Sequence, residues 1–188
     1  MSKNLYTHTI KSIATIILVA MLFSCGNDIK KINDFIAAKN LPISITKNIN
    51  LTHTDSGYVK SKMSAKLLYD FSNREKHPYN EFPNGIKIIN FDKNDSTTVT
   101  ANYAITYSKT QITEIKGNVI VLNHSKNIKL KTEQLFWDQK ENYYYSNKKS
   151  VLTTLTDTLI GVDGFDAKSD LSNANMMDNS AKLNLKEE

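Results

Sequence analysis

The chain has 188 residues, of which 24 are Lys or Arg and 19 are Asp or Glu, giving a formal net charge of +5. This length is enough for one domain with a buried core. The mild positive excess is spread along the chain, which argues against a nucleic-acid-binding protein, and a single cysteine excludes an internal disulfide.

The N-terminus has the layout of a bacterial lipoprotein signal peptide over residues 1–24. Lys3 and Lys11 precede an apolar stretch at residues 13–23, and Cys25 follows directly after Leu22, Phe23 and Ser24. A basic start, a short apolar centre and small residues at the cut are typical of secretory signals. The stretch is too short for a transmembrane helix, which needs about 20 apolar residues. We therefore predict that Cys25 becomes the lipidated first residue of the mature chain, rather than a buried free thiol.

A polar tether follows the cysteine and extends to residue 42, giving a predicted anchor and tether over residues 25–42. Residues 32–38 could form one or two helical turns, which are too short to be stable without packing. Pro42 ends this segment, because proline interrupts a helix. Gly26 follows Cys25, so the rule that Asp at this place retains a lipoprotein in the inner membrane does not apply, and the choice of membrane stays open at this point.

From residue 43 to residue 185 the chain reads as β-strands separated by polar turns. Ile43, Ile45, Ile49 and Leu51 lie at alternating positions, the period-2 pattern of a strand with one apolar face. The predicted strands are residues 43–51, 58–71, 86–91, 97–107, 111–116, 119–122, 128–137, 143–145, 151–155, 158–162, 165–171 and 176–185. Residues 73–83, which contain two of the three prolines, are predicted as a loop. Strands at this spacing predict an all-β sandwich, barrel or roll, and residues 186–188 are expected to be a loose tail.

A weak repeat accompanies the strands. Residues 65–70, 101–107 and 132–138 resemble one another, and residues 164–167 resemble them more faintly. Repeats of this size indicate stacked supersecondary units with a shared core. Residues 119–122 are apolar on both faces, which predicts a strand that lies between layers.

The chain lacks the sequence patterns of an enzyme site. His53, His77 and His124 lie in turn-like surroundings, without a cysteine partner or the spacing of a zinc site. No nucleophile elbow, phosphate loop or dinucleotide motif occurs. We therefore expect neither catalysis nor a cofactor. Trp137 and residues 143–145 are expected to pack as cross-strand aromatic pairs.

Several segments, taken in order, resemble the LptC family, the periplasmic component of the lipopolysaccharide export ABC transporter. They are residues 81–86 (EFPNGI), 100–104 (TANYA), 117–119 (GNV), 130–138 (LKTEQLFWD) and 161–165 (GVDGF). The resemblance runs from about residue 49 to residue 175. It implies an all-β fold, a twisted, open-edged antiparallel β-jellyroll of two facing sheets whose apolar interior carries lipopolysaccharide acyl chains. One departure is that better-known members hold LptC by a transmembrane helix, which a lipid on Cys25 would replace.

The resemblance also implies partners and a place in the cell. The chain would receive lipopolysaccharide from the LptF/LptG permease driven by the LptB ATPase, and would pass it to an LptA-like protein at its C-terminal edge, residues 176–185. It would be lipid-anchored, facing the periplasm, with the inner membrane favoured. The residues expected to face inward and line a lipid groove are Ile88, Val99, Ile105, Val119, Val121, Ile128, Leu130, Leu135, Val151 and Phe165. The same residues could instead fill a sealed core, which is the simpler interpretation. The alternative function is that of a structural or carbohydrate-binding lipoprotein with a β-sandwich fold.

Overall fold

The computed structural model of the protein describes residues 31–32, 34–35, 39–92 and 95–183, with the side chains of residues 179–183 left out. The predicted signal peptide, Cys25 and the tail at residues 186–188 lie outside the described residues. The chain divides into two compact units, residues 1–39 and residues 40–188. In the first unit Lys31, Ile32, Asp34 and Phe35 are helical, within or next to the predicted helical turns. The backbone N–H of Lys39 donates to the carbonyl of Phe35 over 3.2 Å.

The second unit is built of antiparallel β-strands. They are β1 Ser44–Asp55, β2 Tyr58–Phe71, β3 Tyr79–Phe82, β4 Ile86–Asp92, β5 Asp95–Ala101, β6 Tyr103–Tyr107, β7 Ile112–Asn123, β8 Ile128–Asp138, β9 Tyr143–Ser146, β10 Ser150–Thr153, β11 Asp157–Lys168 and β12 Asn175–Leu183. The all-β prediction is therefore confirmed.

Several predicted boundaries are corrected. The predicted loop at residues 73–83 contains β3, which pairs with both β2 and β6. The single strand predicted over residues 97–107 divides at Asn102 into β5 and β6. Conversely, the strands predicted over residues 111–116 and 119–122 are one strand, β7. The strands predicted over residues 158–162 and 165–171 are likewise one strand, β11, which ends at Lys168. Each junction carries a break in strand register.

The strands form one continuous 12-stranded sheet that folds into two layers. The long interior strands β2, β7, β8 and β11 change partner along their length. The first half of β2 pairs with β4 and its end with β3; one half of β7 pairs with β6 and the other with β5; β8 and β11 divide between β9 and β10 in the same way. The first layer thus contains β4, β5 and β10, the second contains β3, β6 and β9, and the long strands cross between them. Among the described residues β1 pairs only with β2, and β12 only with β11, so both sheet edges are open.

A crease separates the two layers, and several left-handed backbone conformations lie along it. Asn48 in β1, Gly85 between β3 and β4, and Asn118 in β7 all have positive φ. Asn102 marks the crease between β5 and β6, where its N–H donates to the carbonyl of Gly117 over 3.0 Å. Such residues suit a crease, because Asn and Gly enter the left-handed region at low cost and bulges bend strands sharply.

The core lies between the layers. Val99, Val121 and Leu130 from the first layer and Leu135 and Phe165 from the second are fully buried in one apolar cluster. All four repeat segments predicted from the sequence fall within the second layer or its approach from the crease, on β2, β5–β6, β8 and β11. The repeated sequence therefore recurs where β2, β5–β6, β8 and β11 pass into the second layer.

Candidate binding groove

A groove of about 880 Å³ opens between the two layers of the second unit. Leu51, Met63 and Ile88 of the first layer face each other across β1, β2 and β4 in register and form part of its wall. Leu68 and Phe82 contribute from the second layer. This apolar part of the groove lies nearest the crease. Leu51 is 50% exposed despite its inward register, so the groove is open at the β1 edge.

A row of polar side chains borders the apolar part in the first layer. His53, Ser61, Asn90 and Thr97 are successive cross-strand partners on β1, β2, β4 and β5, and all of them line the groove. They lie two residues farther from the crease than Leu51, Met63, Ile88 and Val99. Because strand side chains at i and i+2 share a face, the same inward face changes from apolar near the crease to polar near the mouth.

The second layer carries a matching polar row. Asn80, Thr106, Thr113 and Trp137 are cross-strand partners on β3, β6, β7 and β8 and line the groove. Thr106 Oγ1 lies 3.0 Å from Thr113 Oγ1, which also accepts a hydrogen bond from Gln139 Nε2 over 2.7 Å. The groove is therefore amphipathic, with an apolar interior and two neutral polar rows at its mouth.

Trp137 ends the polar row of the second layer. Its ring packs edge-on against Tyr144, with centroids 6.1 Å apart, and Phe136 stacks on Tyr145, so the predicted cross-strand aromatic packing is confirmed. The Trp137 Nε1 atom is buried and donates to no described residue. A buried donor without an acceptor costs about 1–3 kcal/mol, so an acceptor that reached this N–H would remove that cost.

A polar clasp closes one end of the mouth. Asn123, fully buried at the end of β7, donates through Nδ2 to Asp95 Oδ2 over 2.7 Å and to the Asp170 carbonyl over 2.9 Å. Lys126 Nζ lies 2.6 Å from Asp170 Oδ2. Asp170 follows the second-layer half of β11, whereas Asp95 and Asn123 belong to the first layer, so the clasp joins the layers.

Both clasp carboxyls are held ionised. Burial acts to raise the pKa of Asp170, but hydrogen bonds from Lys126 and Ser172 outweigh it and lower the pKa to about 2. Burial likewise acts to raise the pKa of Asp95, and hydrogen bonds from Ser125 and Asn123 reverse the effect, so that it lies below its usual value. The clasp therefore keeps its negative charges throughout the physiological pH range.

The residues predicted to face inward fall into three groups. Ile88, Val99, Val119, Val121, Leu130, Leu135 and Phe165 are buried in the core, and Ile128 is partly buried against it. Ile105 and Val151 are corrections: strand alternation makes Ala104 and Leu152 the inward residues and turns these two to the outer face, where they are half-buried. Only Ile88 of the ten lines the groove, and lipid contact by the others stays a prediction.

Sequence reasoning missed the groove residues that are polar. Inward polar residues at His53, Asn90 and Thr113 look like turn-proximal or solvent-facing positions when the sequence is read alone. The register supplies the missing information, since it places them in continuous rows with known inward residues. Ile120 and Leu122, predicted to be covered, are instead half-buried on the outer face of β7.

Searches of the described residues for other kinds of site give negative findings. No group of three or more His, Cys, Asp or Glu among them is arranged to hold a metal ion. Within the same residues, no helix has both the length and the apolar character to cross a membrane.

Comparison with protein families shows a match over most of the chain. The family described as "LptC: Lipopolysaccharide-assembly, LptC-related" matches residues 13–176, most of the chain. Comparison with curated proteins gives no match.

Proposed function

We propose that this chain, which belongs to the LptC-related family of lipopolysaccharide assembly, is a non-catalytic transfer component of lipopolysaccharide export. Family membership supports a role in lipopolysaccharide transport. The finer proposal is that the chain receives lipopolysaccharide from an LptB/LptF/LptG transporter and passes it to an LptA-like periplasmic bridge.

The amphipathic groove is the observation that carries this proposal. Its apolar interior suits acyl chains, because each CH₂ group removed from water contributes about 0.8 kcal/mol. Its polar rows lie where the polar part of a lipid would emerge. Its volume of about 880 Å³ falls in the range of ligand sites, roughly 300–1,000 Å³.

The open sheet edges support the proposed route of transfer. An unpaired edge strand offers N–H and C=O groups to a partner strand. Ile45 and Leu51 on β1 are 58% and 50% exposed, so this edge also offers apolar surface next to the groove opening. We assign β1 to the permease side and β12 to the LptA-like side. Because the interior between the groove and β12 is packed, onward passage requires the two layers to part.

The anchor is part of the same proposal. We propose that Cys25 is lipidated and that residues 26–42 tether the β-jellyroll on the periplasmic side of the inner membrane. A single acyl chain binds membranes only marginally, so a multiply acylated cysteine is expected. The variant Cys25→Ser should be released from the membrane or mislocalised, whereas its unfolding transition should stay unchanged.

Co-purification tests the proposed partners most simply. When the tagged full chain is extracted from membranes, an ABC transporter and an LptA-like protein should be retained with it. Depletion separates this function from the alternative, a structural or carbohydrate-binding lipoprotein. Loss of the transfer component should leave lipopolysaccharide at the inner membrane, whereas loss of the alternative should leave export intact.

A further inference from the structure

The charge around the groove is unusual for a site that would bind phosphate. Its lining contains four carboxylates and two lysines. The carboxylates are Asp92, Asp95, Glu141 and Asp170, and the lysines are Lys60 and Lys168. Lys126 pairs with Asp170 from outside the lining, and counting it leaves four carboxylates against three lysines around the groove, apart from His53 on β1. Lys93 lies outside the described residues.

The two lysines do not make up for the excess of carboxylates in the lining. Proteins hold phosphate with arginine forks, lysine clusters, helix N-termini or loops of backbone N–H groups. The described lining of the groove contains no arginine. Lys60 lies on β2 and Lys168 lies on β11, and they are the two lysines of the lining. The groove therefore has no described cluster of cations at which a phosphate could be neutralised.

The groove also presents neutral hydrogen-bonding groups. Ser61, Asn90, Thr106 and Thr113 present hydroxyl and amide groups to the groove, and these can both donate and accept. Such groups suit sugar hydroxyls and the amide or ester carbonyls of acyl chains. Trp137 lines the groove beside Thr113, and its buried Nε1–H has no described acceptor.

We propose that the groove selects acylated glycolipids whose polar group carries little phosphate charge, with an acyl carbonyl accepting the Trp137 Nε1–H and sugar hydroxyls meeting the neutral rows. The inference rests on the proposed function, in which the groove holds the acyl chains. It adds that recognition proceeds through neutral hydrogen bonds and that each added phosphate weakens binding.

Trp137 is the only tryptophan of the chain, so its fluorescence reports directly on the groove. The full chain in detergent is titrated with monophosphorylated and with bisphosphorylated lipid A at low and at high salt. We expect the monophosphorylated lipid to bind about three- to tenfold more tightly at low salt, and the difference to shrink at high salt as the repulsion is screened. Tighter binding of the bisphosphorylated lipid, weakened by salt, would overturn this inference alone. Absence of binding by either lipid would overturn the proposed function as well.

Charge variants at the exposed mouth test the cause. Asp92→Asn and Glu141→Gln remove carboxylates without disturbing the core, so the preference for the monophosphorylated lipid should narrow. Asp163→Asn, an exposed position away from the groove, is the matched control and should leave the preference unchanged. An unchanged preference in all three variants would contradict the electrostatic explanation.

The role of the indole N–H is tested by Trp137→Phe, which keeps an aromatic ring but removes the donor. Binding of radiolabelled lipid should weaken by about three- to tenfold, as expected for one lost hydrogen bond. The urea midpoint is measured alongside, because the smaller ring also loses packing against Tyr144, and affinity is compared only on folded protein. Unchanged lipid affinity would show that Trp137 serves packing alone.

Discussion

Asn90 Nδ2 on β4 lies 3.4 Å from the Tyr144 hydroxyl on β9, and this hydrogen bond joins the first layer of the sheet to the second. Asn90 lines the groove, whereas Tyr144 is fully buried behind it. Burial raises the pKa of Tyr144, opposed by the hydrogen bond from Asn90, so the hydroxyl stays protonated at physiological pH. The pair marks the place where the groove ends and the packed core begins.

The variant Tyr144→Phe should lose little stability, although Tyr144 is fully buried. The ring stays in place and one long hydrogen bond is lost, so the free energy of unfolding should fall by about 0.5–1.5 kcal/mol, toward the lower end. Urea unfolding measures the change. Tyr145→Phe is the control, since Tyr145 is exposed on the outer face, and it should change stability by less. Equal losses in both variants would mean that the bond between the layers contributes nothing.

The packed part of the interior should respond very differently from exposed apolar positions. Leu130 is fully buried, whereas Leu155 is 79% exposed in a turn. Leu130→Ala should lower the free energy of unfolding by about 2–5 kcal/mol, because burial is lost and a cavity is left. Leu155→Ala should stay within about 0.5 kcal/mol. If Leu130→Ala were tolerated as well as Leu155→Ala, the interior beyond the clasp would be open rather than sealed.

Periodicity predicted the fold class but could not predict the crease. Alternation at residues 43–51 identified a strand correctly, although only Ile49 of its four apolar residues is buried. It failed at Asn102 and at residues 117–118, where one strand divides and two strands join. A crease depends on partners distant in the chain, such as the bond from Asn102 to Gly117. Strand β3 was missed for a similar reason: four residues between two prolines are recognisable as a strand only beside β2 and β6.

The groove was harder to predict than the core. Inward apolar residues such as Val121 and Phe165 are recognisable from pattern, yet they fill the sealed part of the interior. The groove is lined instead by a mixture of apolar and polar residues, and its position depends on where the two layers separate. That separation is set by the packing of whole layers, which leaves no local signal in the sequence.

Gly164 provides a test of the bend in β11. Its φ is +120°, and a Cβ atom there would lie 2.0 Å from the carbonyl oxygen of Ser146 on β9. Gly164→Ala should therefore separate β9 from β11 and lower stability to the upper end of the usual range of about 0.5–3 kcal/mol or beyond. Thermal unfolding measures this change.

Gly57 is the matched control for Gly164. It also has a positive φ, +81°, but no atom lies within 4 Å of its missing Cβ. Gly57→Ala should show backbone strain alone, about 1–2 kcal/mol. If both substitutions cost the same, the close approach of β9 to β11 would not be what requires glycine at position 164.

The clasp predicts a dependence of stability on pH. The pKa of Asp170 in the folded chain is about 2, below its ordinary value of 3.8. Its ionised form therefore stabilises the fold fully above the unfolded pKa, and this contribution is lost as the pH falls from about 4 to about 2. Asp170→Asn should flatten the pH dependence of the urea midpoint in this window, with Asp163→Asn as the control. An identical acid profile for the wild type and Asp170→Asn would contradict this role of the clasp.

The most direct test of the central claim is photo-crosslinking from inside the groove in the assembled transporter. A photoreactive side chain at Thr106, which lines the groove, should capture lipopolysaccharide when ATP is hydrolysed. The same group at Thr153, exposed on the outer face of β10, should not. Adducts at Leu130 would further indicate that the layers part during transfer. Absence of adducts at Thr106 in folded, transporter-bound protein, or equal capture at Thr153, would contradict the account of this chain as a lipopolysaccharide-carrying groove.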